Sequence, residues 1–377
     1  MALGRFLRDP VPEPPMPSLG GSQINTSTPP SLAARRIADP ADPIGRRARE
    51  ILPTSTGLSP QGVDLALDRC LETRPTDLEL DWLCQSVPTA TRAHVVLASN
   101  VFTAAHRAIA LALATAARVE VRPSRREPEM TDLLRAADGG LFRVVDELAP
   151  SPGDHVWVYG TDETVVALRN ELIGGVVLHA HGPGFGVAVF QPTAEDAEGA
   201  AWQAAAAAQA LASDVVLFDQ RGCLSPRLAF VCGDSELTRE FALALAQELS
   251  RLEHTVPRGA VTPDEVADQT WYRDTWLCAG ELLAAGRGWV GVETQRERVW
   301  LPPPGRNVHV VCASNLERCL RPVRAAVAAV GVSGPPELSA RVSELLPDAR
   351  LSPLGSMQRP RFDGPVDRRP SRHGEML

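Results

Sequence analysis

The stretch FDQRGCLSPR, residues 218–227, sets a cysteine between a glycine and Leu-Ser-Pro. A thiol reacts as thiolate, so Cys223 can attack an acyl carbon only where its charge is favoured and its approach open. Arg221 and Arg227 flank it and would favour the thiolate if their side chains turn inward; a small hydrophobe filling a core is the competing reading. The other cysteines, at 70, 84, 232, 278, 312 and 319, lie in contexts such as ALDRCLE, AFVCG and TWLCAG and read as core. With no CxxC pair, neither a metal site nor a disulfide framework is expected, and a reducing cytoplasm is.

Three further groups of residues could carry chemistry. RVEVRPSRREP gathers arginines at 118, 122, 125 and 126, and guanidinium forks grip phosphate oxygens in pairs; a solvated face is the plainer account. In YGTDETV a strand ends at Gly160 and a helix begins at Thr161-Asp162, where free N–H groups can face a phosphate and Asp162 is expected as the cap. HGPGFG, residues 181–186, spells a dinucleotide fingerprint, but its glycines lead into VAVF, a strand rather than a helix, so it reads as a turn between strands. His181 beside it can serve acid–base chemistry or be satisfied within that turn.

These residues need elements to hold them. QGVDLALDRCLE, AAHRAIALALATAA and TDETVVALRNEL read as helices, and TDLLRAADGGLFRVVDELA as helical with a Gly-Gly break. EDAEGAAWQAAAAAQALAS and SELTREFALALAQELSRL are helices too, and AHVVLASN, RVEVRPS, HVWVYG, GGVVLHA and GVAVF are strands. The apolar run at 215–218, just before the cysteine, reads as a buried strand. Alternating strands and helices predict a parallel α/β protein. The 377 residues suit two domains and tails, with 44% hydrophobic and 22% charged residues as in a soluble globular chain. A net charge of −8 gives no basic field for nucleic acid or an anionic membrane. No apolar run spans a bilayer, and MALGRFLRDPVPEPP has no secretory h-region, so a cytoplasmic protein is expected.

Taken in order, LASNVFTAAHRAIALALATAARVEVRPSRREP, VWVYGTDETV, HGPGFGVAVF and DVVLFDQRGCLSPRLAFV resemble the aldehyde dehydrogenase superfamily, most closely its LuxC-like acyl-CoA reductase branch. LPPPGRNVHVV and LSPLGSMQRPRF are weaker downstream echoes, and the likeness runs over roughly residues 90–360. The resemblance implies an aldehyde-dehydrogenase-like fold of two Rossmann-like parallel-sheet domains. The division expected is a flexible Pro-rich arm over 1–60, a nucleotide-binding domain over 61–205, a catalytic cysteine domain over 206–335, and a C-terminal return segment and tail over 336–377. By position, Cys223 is the implied nucleophile, Asn100 the amide that helps stabilise the oxyanion, and His181 a possible acid–base group. Arg122, Ser124 and Arg125 fall beside the cofactor's adenosine ribose, and Gly160 and Thr161 where its pyrophosphate and nicotinamide side pass. A cation at Arg125, where NAD-preferring relatives carry a glutamate, implies NADPH, with NADH possible.

Ala180 stands where hydrolytic relatives carry the glutamate that activates water. The implied reaction is therefore reduction of a fatty acyl-CoA or acyl-carrier thioester to aldehyde, in a homo-oligomer that an acyl-transferring partner could supply. Two alternatives stay open: an NAD(P)-dependent dehydrogenase making free acid, and a catalytically degenerate scaffold or regulatory homologue.

Overall fold

Runs of Val and Ala bounded by Gly, Pro or Asn build the strands, and the computed structural model describes residues 29–369 and 375–376. Four helices come first: α1 (Pro29–Ala38), α2 (Pro43–Thr56), α3 (Pro60–Arg69) and α4 (Asp77–Gln85). Then follow β1 (Ala90–Val96), α5 (Ala104–Thr115), β2 (Ala116–Arg122), α6 (Glu129–Asp138), β3 (Arg143–Val144), β4 (His155–Tyr159), α7 (Asp162–Glu171) and β5 (Val177–His181). These strands form one parallel sheet in the order β5-β4-β1-β2-β3. The helices of the first part and α5 bury one face of it, and α7 covers the other with Val165 and Leu168.

The chain then builds β6 (Phe185–Phe190), α8 (Ala197–Val216), β7 (Pro226–Val231), α9 (Ser235–Thr255), α10 (Pro263–Ala279), β8 (Glu281–Ala285) and β9 (Gly288–Glu293). After these come β10 (Val308–Cys312), α11 (Leu316–Leu320), β11 (Val327–Ser333), α12 (Pro336–Leu345) and β12 (Arg350–Pro353). The second sheet runs β12-β11-β6-β7-β10-β9-β8, parallel apart from β8. Period-two alternation along β6 sorts its two faces. Ala188 and Phe190 meet α8 and α9, while Val187 and Val189 meet α11 and α12. A final strand, β13 (Glu375–Met376), pairs antiparallel with β5 and so returns to the first sheet. Among the described residues no helix is long and apolar enough to cross a membrane.

Three expectations need correction. Residues 29–60 are not an extended arm: Ala33, Ala34 and Ile37 of α1 and Ala48 and Leu52 of α2 are buried in the first core. Within residues 29–60 several prolines sit at helix starts, Pro43 behind its cap Asp42 and Pro60 behind its cap Ser59, where a missing N–H costs nothing. Residues 1–28, with PVPEPPMP, lie outside the described residues. The boundary expected at 205 falls inside α8, and the chain leaves the first sheet between His181 and Phe185. The apolar run at 215–218 is no strand, because α8 continues to Val216 and a tight left-handed turn follows. A short apolar run is equally consistent with the end of a buried helix.

Candidate functional site

In the first sheet, Tyr159 on β4 and His181 on β5 are register partners at the carboxyl ends of their strands. Their rings stack at 4.7 Å, almost parallel at 9°. One rung below, Trp157 stacks on His179 at 3.8 Å, and His179 Nε2 lies 3.2 Å from His155 Nδ1. Ala180 points to the opposite face, buried with Val158, Val165 and Leu168 under α7. The Gly160 N–H donates to the His181 carbonyl at 3.1 Å. Thr161, not Asp162, is the N-cap of α7; Asp162 and Glu163 occupy its first turn.

The segment Gly182-Pro183-Gly184 carries the chain across to the second sheet, and its neighbours show why glycine is needed there. A Cβ on Gly184 would lie 2.7 Å from Arg369 Nη2, and one on Gly186 would lie 2.3 Å from the Leu224 carbonyl oxygen. Gly186 also donates to Ser225 O at 2.8 Å. HGPGFG thus serves as the crossing between sheets and as a bed for the cysteine loop.

That loop begins with Phe218, Asp219 and Gln220 at φ 55°, 49° and 65°, three successive non-glycine residues in the left-handed region. Such backbone costs about 1–2 kcal/mol per residue. It turns the chain sharply from α8 and sets half-buried Cys223 just ahead of β7. Buried Phe218 packs edge-on against Phe102 at 5.8 Å, and a Cβ on Gly222 would lie 2.9 Å from Val101 Cγ2. The loop holding exposed Asn100 and the loop holding Cys223 are therefore packed against each other.

Arg221 and Arg227 do not serve the thiol. Arg221 donates to Glu265 Oε1 at 3.0 Å and Ala260 O at 2.6 Å, and Arg227 Nε to Pro302 O at 2.7 Å. Among the described residues a cation near Cys223 is Arg369, from the C-terminal strap of residues 357–369. It donates to Pro183 O at 3.0 Å and from two nitrogens to Asp367, at 2.9 and 2.7 Å. Burial opposes its charge, yet Asp367 and the nearby Cys223 thiolate keep its pKa raised. The attraction is mutual, so a cation fixed there favours thiolate. Burial likewise opposes the Asp367 charge, but Arg369, with His181 behind it, holds that carboxyl below its usual range. Burial pushes the Tyr159 phenol well up, and the charges of Cys223 and Asp367 add to this.

The strap is anchored along its length. Arg107 of α5 donates to Pro360 O at 2.6 Å and Arg361 O at 2.7 Å, and Phe362 stacks on His106 at 5.5 Å. Glu72 pairs with Arg107; although burial would raise it, the Arg107 charge holds its pKa at about 2. Arg350 grips Val366 O at 3.2 Å and Gly364 O at 3.3 Å. Tyr159, Asp367 and Arg369 are the site residues that sequence reasoning missed; for Asp367 and Arg369 the C-terminal tail was the only trace, and Tyr159 read as the end of a strand.

The first sheet also meets the requirements of a nicotinamide cofactor. Its strand order reverses between β1 and β4, and ligands of such sheets lie outside the carboxyl ends at that point. Gly160 lets β4 pass closely into α7: a Cβ there would lie 3.0 Å from the Thr164 side chain. Arg122 closes β2, and Ser124 and Arg125 follow it. Among the described residues neither Arg122 nor Arg125 makes an ion pair, and the Ser124 hydroxyl accepts only from Arg126 N, at 3.2 Å.

Two parallel sheets with a thiol loop set at the mouth of the first define the aldehyde dehydrogenase fold. Solved structures bear this out. An oxidoreductase from Marinobacter aquaeolei superposes with a TM-score of 0.64 at 13% identity, covering 93% of this chain and 86% of that one. Succinic semialdehyde dehydrogenase from Streptococcus pyogenes, in complex with NADP+, gives 0.59 at 12% identity, covering 92% and 90%. A mutant of aldehyde dehydrogenase C from Pseudomonas syringae, complexed with NAD+ and octanal, gives 0.57 at 14%, covering 86% and 77%. No curated protein matches the chain in sequence. Residues 143–367 match the family model for LuxC acyl-CoA reductases. The chain belongs to that family: it is an oxidoreductase acting on aldehyde or acyl substrates.

Proposed function

We propose that this protein reduces an acyl thioester to its aldehyde with NADPH, through an acyl group carried on Cys223. The observation that carries the reading is the meeting of the Cys223 loop, the Asn100 loop and the strand ends at Tyr159 and His181, with Arg369 completing the wall. The Cys223 thiolate attacks the thioester carbonyl and the carrier thiolate leaves, so one thioester replaces another. The Asn100 amide and the Cys223 backbone N–H are the donors for the oxyanion that develops, often the largest single contribution to such catalysis. Bound nicotinamide supplies the hydride that reduces the enzyme thioester. The resulting thiohemiacetal releases aldehyde as the C–S bond breaks and the electron pair returns to sulfur.

Arg122, Ser124 and Arg125 would hold the adenosine ribose and its 2′-phosphate, since two uncommitted guanidinium groups suit a dianion. Gly160 and Thr161 would line the path of the pyrophosphate. His181 is poised to exchange a proton with the leaving group or the carbonyl oxygen. Where hydrolytic relatives carry the glutamate that activates water, this chain has an alanine. Ala180 is buried in an apolar layer, and both Asp367 oxygens are held by Arg369. An acyl group on Cys223 is thus protected from hydrolysis and survives to meet hydride.

The test is mass spectrometry of the protein incubated with acyl-CoAs of graded length and no NADPH. A stable acyl adduct mapping to Cys223, discharged as aldehyde on adding NADPH, is the expected result. Release of free acid instead, or no adduct with any thioester, would overturn the reading.

A further inference from the structure

We propose that the buried Asp219–Arg306 ion pair is a clamp that positions the Cys223 thiol by holding the left-handed turn before it. The inference rests on Cys223 being the reacting thiol. Phe218, Asp219 and Gln220 have side chains that disfavour φ between 49° and 65°, and three such residues in succession persist only where surrounding contacts over-determine them. Those contacts are present, and all but the Gln220–Pro226 bond come from chain distant in sequence.

The Asp219 carboxylate accepts from Arg306 Nε at 3.0 Å and Nη2 at 2.8 Å through one oxygen, and from Gly259 N at 2.9 Å through the other. Its backbone carbonyl accepts from Gly305 N at 3.1 Å. Both partners are almost wholly buried, at 2% and 1% exposure, so solvent does not weaken the pair. Arg306 is pinned in turn by Glu253 Oε2 at 3.0 Å and Val256 O at 2.7 Å. Gln220 adds a second grip: its amide donates to Pro226 O at 2.6 Å and Asn307 O at 2.7 Å and accepts from Asn307 N at 2.9 Å. The brace thus comes chiefly from PPPGRN, residues 302–307, and it spans Cys223 by binding both before it at Asp219 and after it at Arg227, whose Nε donates to Pro302 O.

Neither Asp219 nor Arg306 is placed at the thiol. Their effect passes through the turn, whose rotation sets the distance from sulfur to Arg369 and to the oxyanion donors. A slackened turn would let the thiol drift from the cation that favours its charged form.

The experiment measures alkylation of Cys223 by iodoacetamide against pH in the full chain, with the modified peptide identified by mass spectrometry. Asp219→Ala and Arg306→Met should raise the pH midpoint by about one unit and slow the reaction at pH 7 about tenfold. Asp219→Gly should recover most of that loss, because glycine holds positive φ without a brace. A merely structural role would not make glycine better than alanine at a buried charged position. Wild-type midpoints in Asp219→Ala and Arg306→Met would overturn the clamp, as would Asp219→Gly reacting no faster than Asp219→Ala. Should Asp219→Ala be recovered unfolded, Arg306→Lys replaces it, keeping the charge without the two-nitrogen grip: a raised midpoint supports the clamp and an unchanged one overturns it. Alkylation needs no acyl-CoA, so a failure of acylation alone would count against the proposed function and not against the clamp.

Discussion

The two sheets present opposite ends to the site. The first offers the carboxyl ends of its strands, with Tyr159, Gly160 and His181 at β4 and β5 and the Asn100 loop after β1. The second offers an amino end: Cys223 sits just ahead of β7. Its own carboxyl-end crevice, where strand order reverses between β6 and β11, is a separate cavity of about 380 Å³ lined by residues including Phe190, Trp202 and Ser333. Carboxyl ends lead into helix starts with open N–H groups, which suit a phosphate-bearing cofactor. An amino end preceded by a braced turn suits a nucleophile that must not move. Each sheet supplies what its end does best.

The comparison can be broken at either side. The largest effect belongs to the thiol: Cys223→Ala should abolish both acylation and aldehyde formation, read by intact mass and by NADPH consumption. Next comes the strap that joins the halves. Arg369→Met should slow alkylation of Cys223 about tenfold at neutral pH and move its midpoint upward by about one unit, with thermal stability tracked separately. On the cofactor side, Arg125→Glu should raise KM for NADPH more than for NADH, by about tenfold, with acylation by acyl-CoA unchanged. An equal effect on both cofactors would remove the 2′-phosphate from the argument.

The smallest effect concerns the frame behind the thiol. His309 on β10 is buried, which keeps its pKa down at about 4, against 6.5 for the free side chain. The unfolded chain therefore takes up a proton that the folded one refuses. Its contribution to stability is full above pH 6.5 and is lost as pH falls through about 4. Thermal melts between those values should show this slope, and His309→Gln should flatten it.

The regular elements were legible because they follow period and punctuation. α5, α7, α8 and α9 carry continuous helical patterns, and β1, β4, β5 and β6 are apolar runs ended by Gly, Asn or Pro. Cys223 and Asn100 were legible because short motifs surround them. The site's other members were not, for physical reasons. Asp367 and Arg369 lie on a strap with no period, held by carbonyl bonds to Arg107 and Arg350 that no local pattern announces. Arg221 and Arg227 looked apt by proximity in sequence, yet they are spent on Glu265, Ala260 O and Pro302 O. The buried helices α1 and α2 were hidden by prolines whose role is to start a helix, not to forbid one.

The strap also sets an order of assembly during synthesis. Domains tend to fold as the ribosome releases them, amino-terminal portions first. Cys223 and its turn emerge well before PPPGRN, and that brace emerges well before Asp367 and Arg369. A nascent chain thus carries a thiol that is first unbraced, then braced without its cation, and competent only when the strap has docked across α5. On the role proposed for Cys223, reactivity is withheld until both halves of the molecule exist to use it.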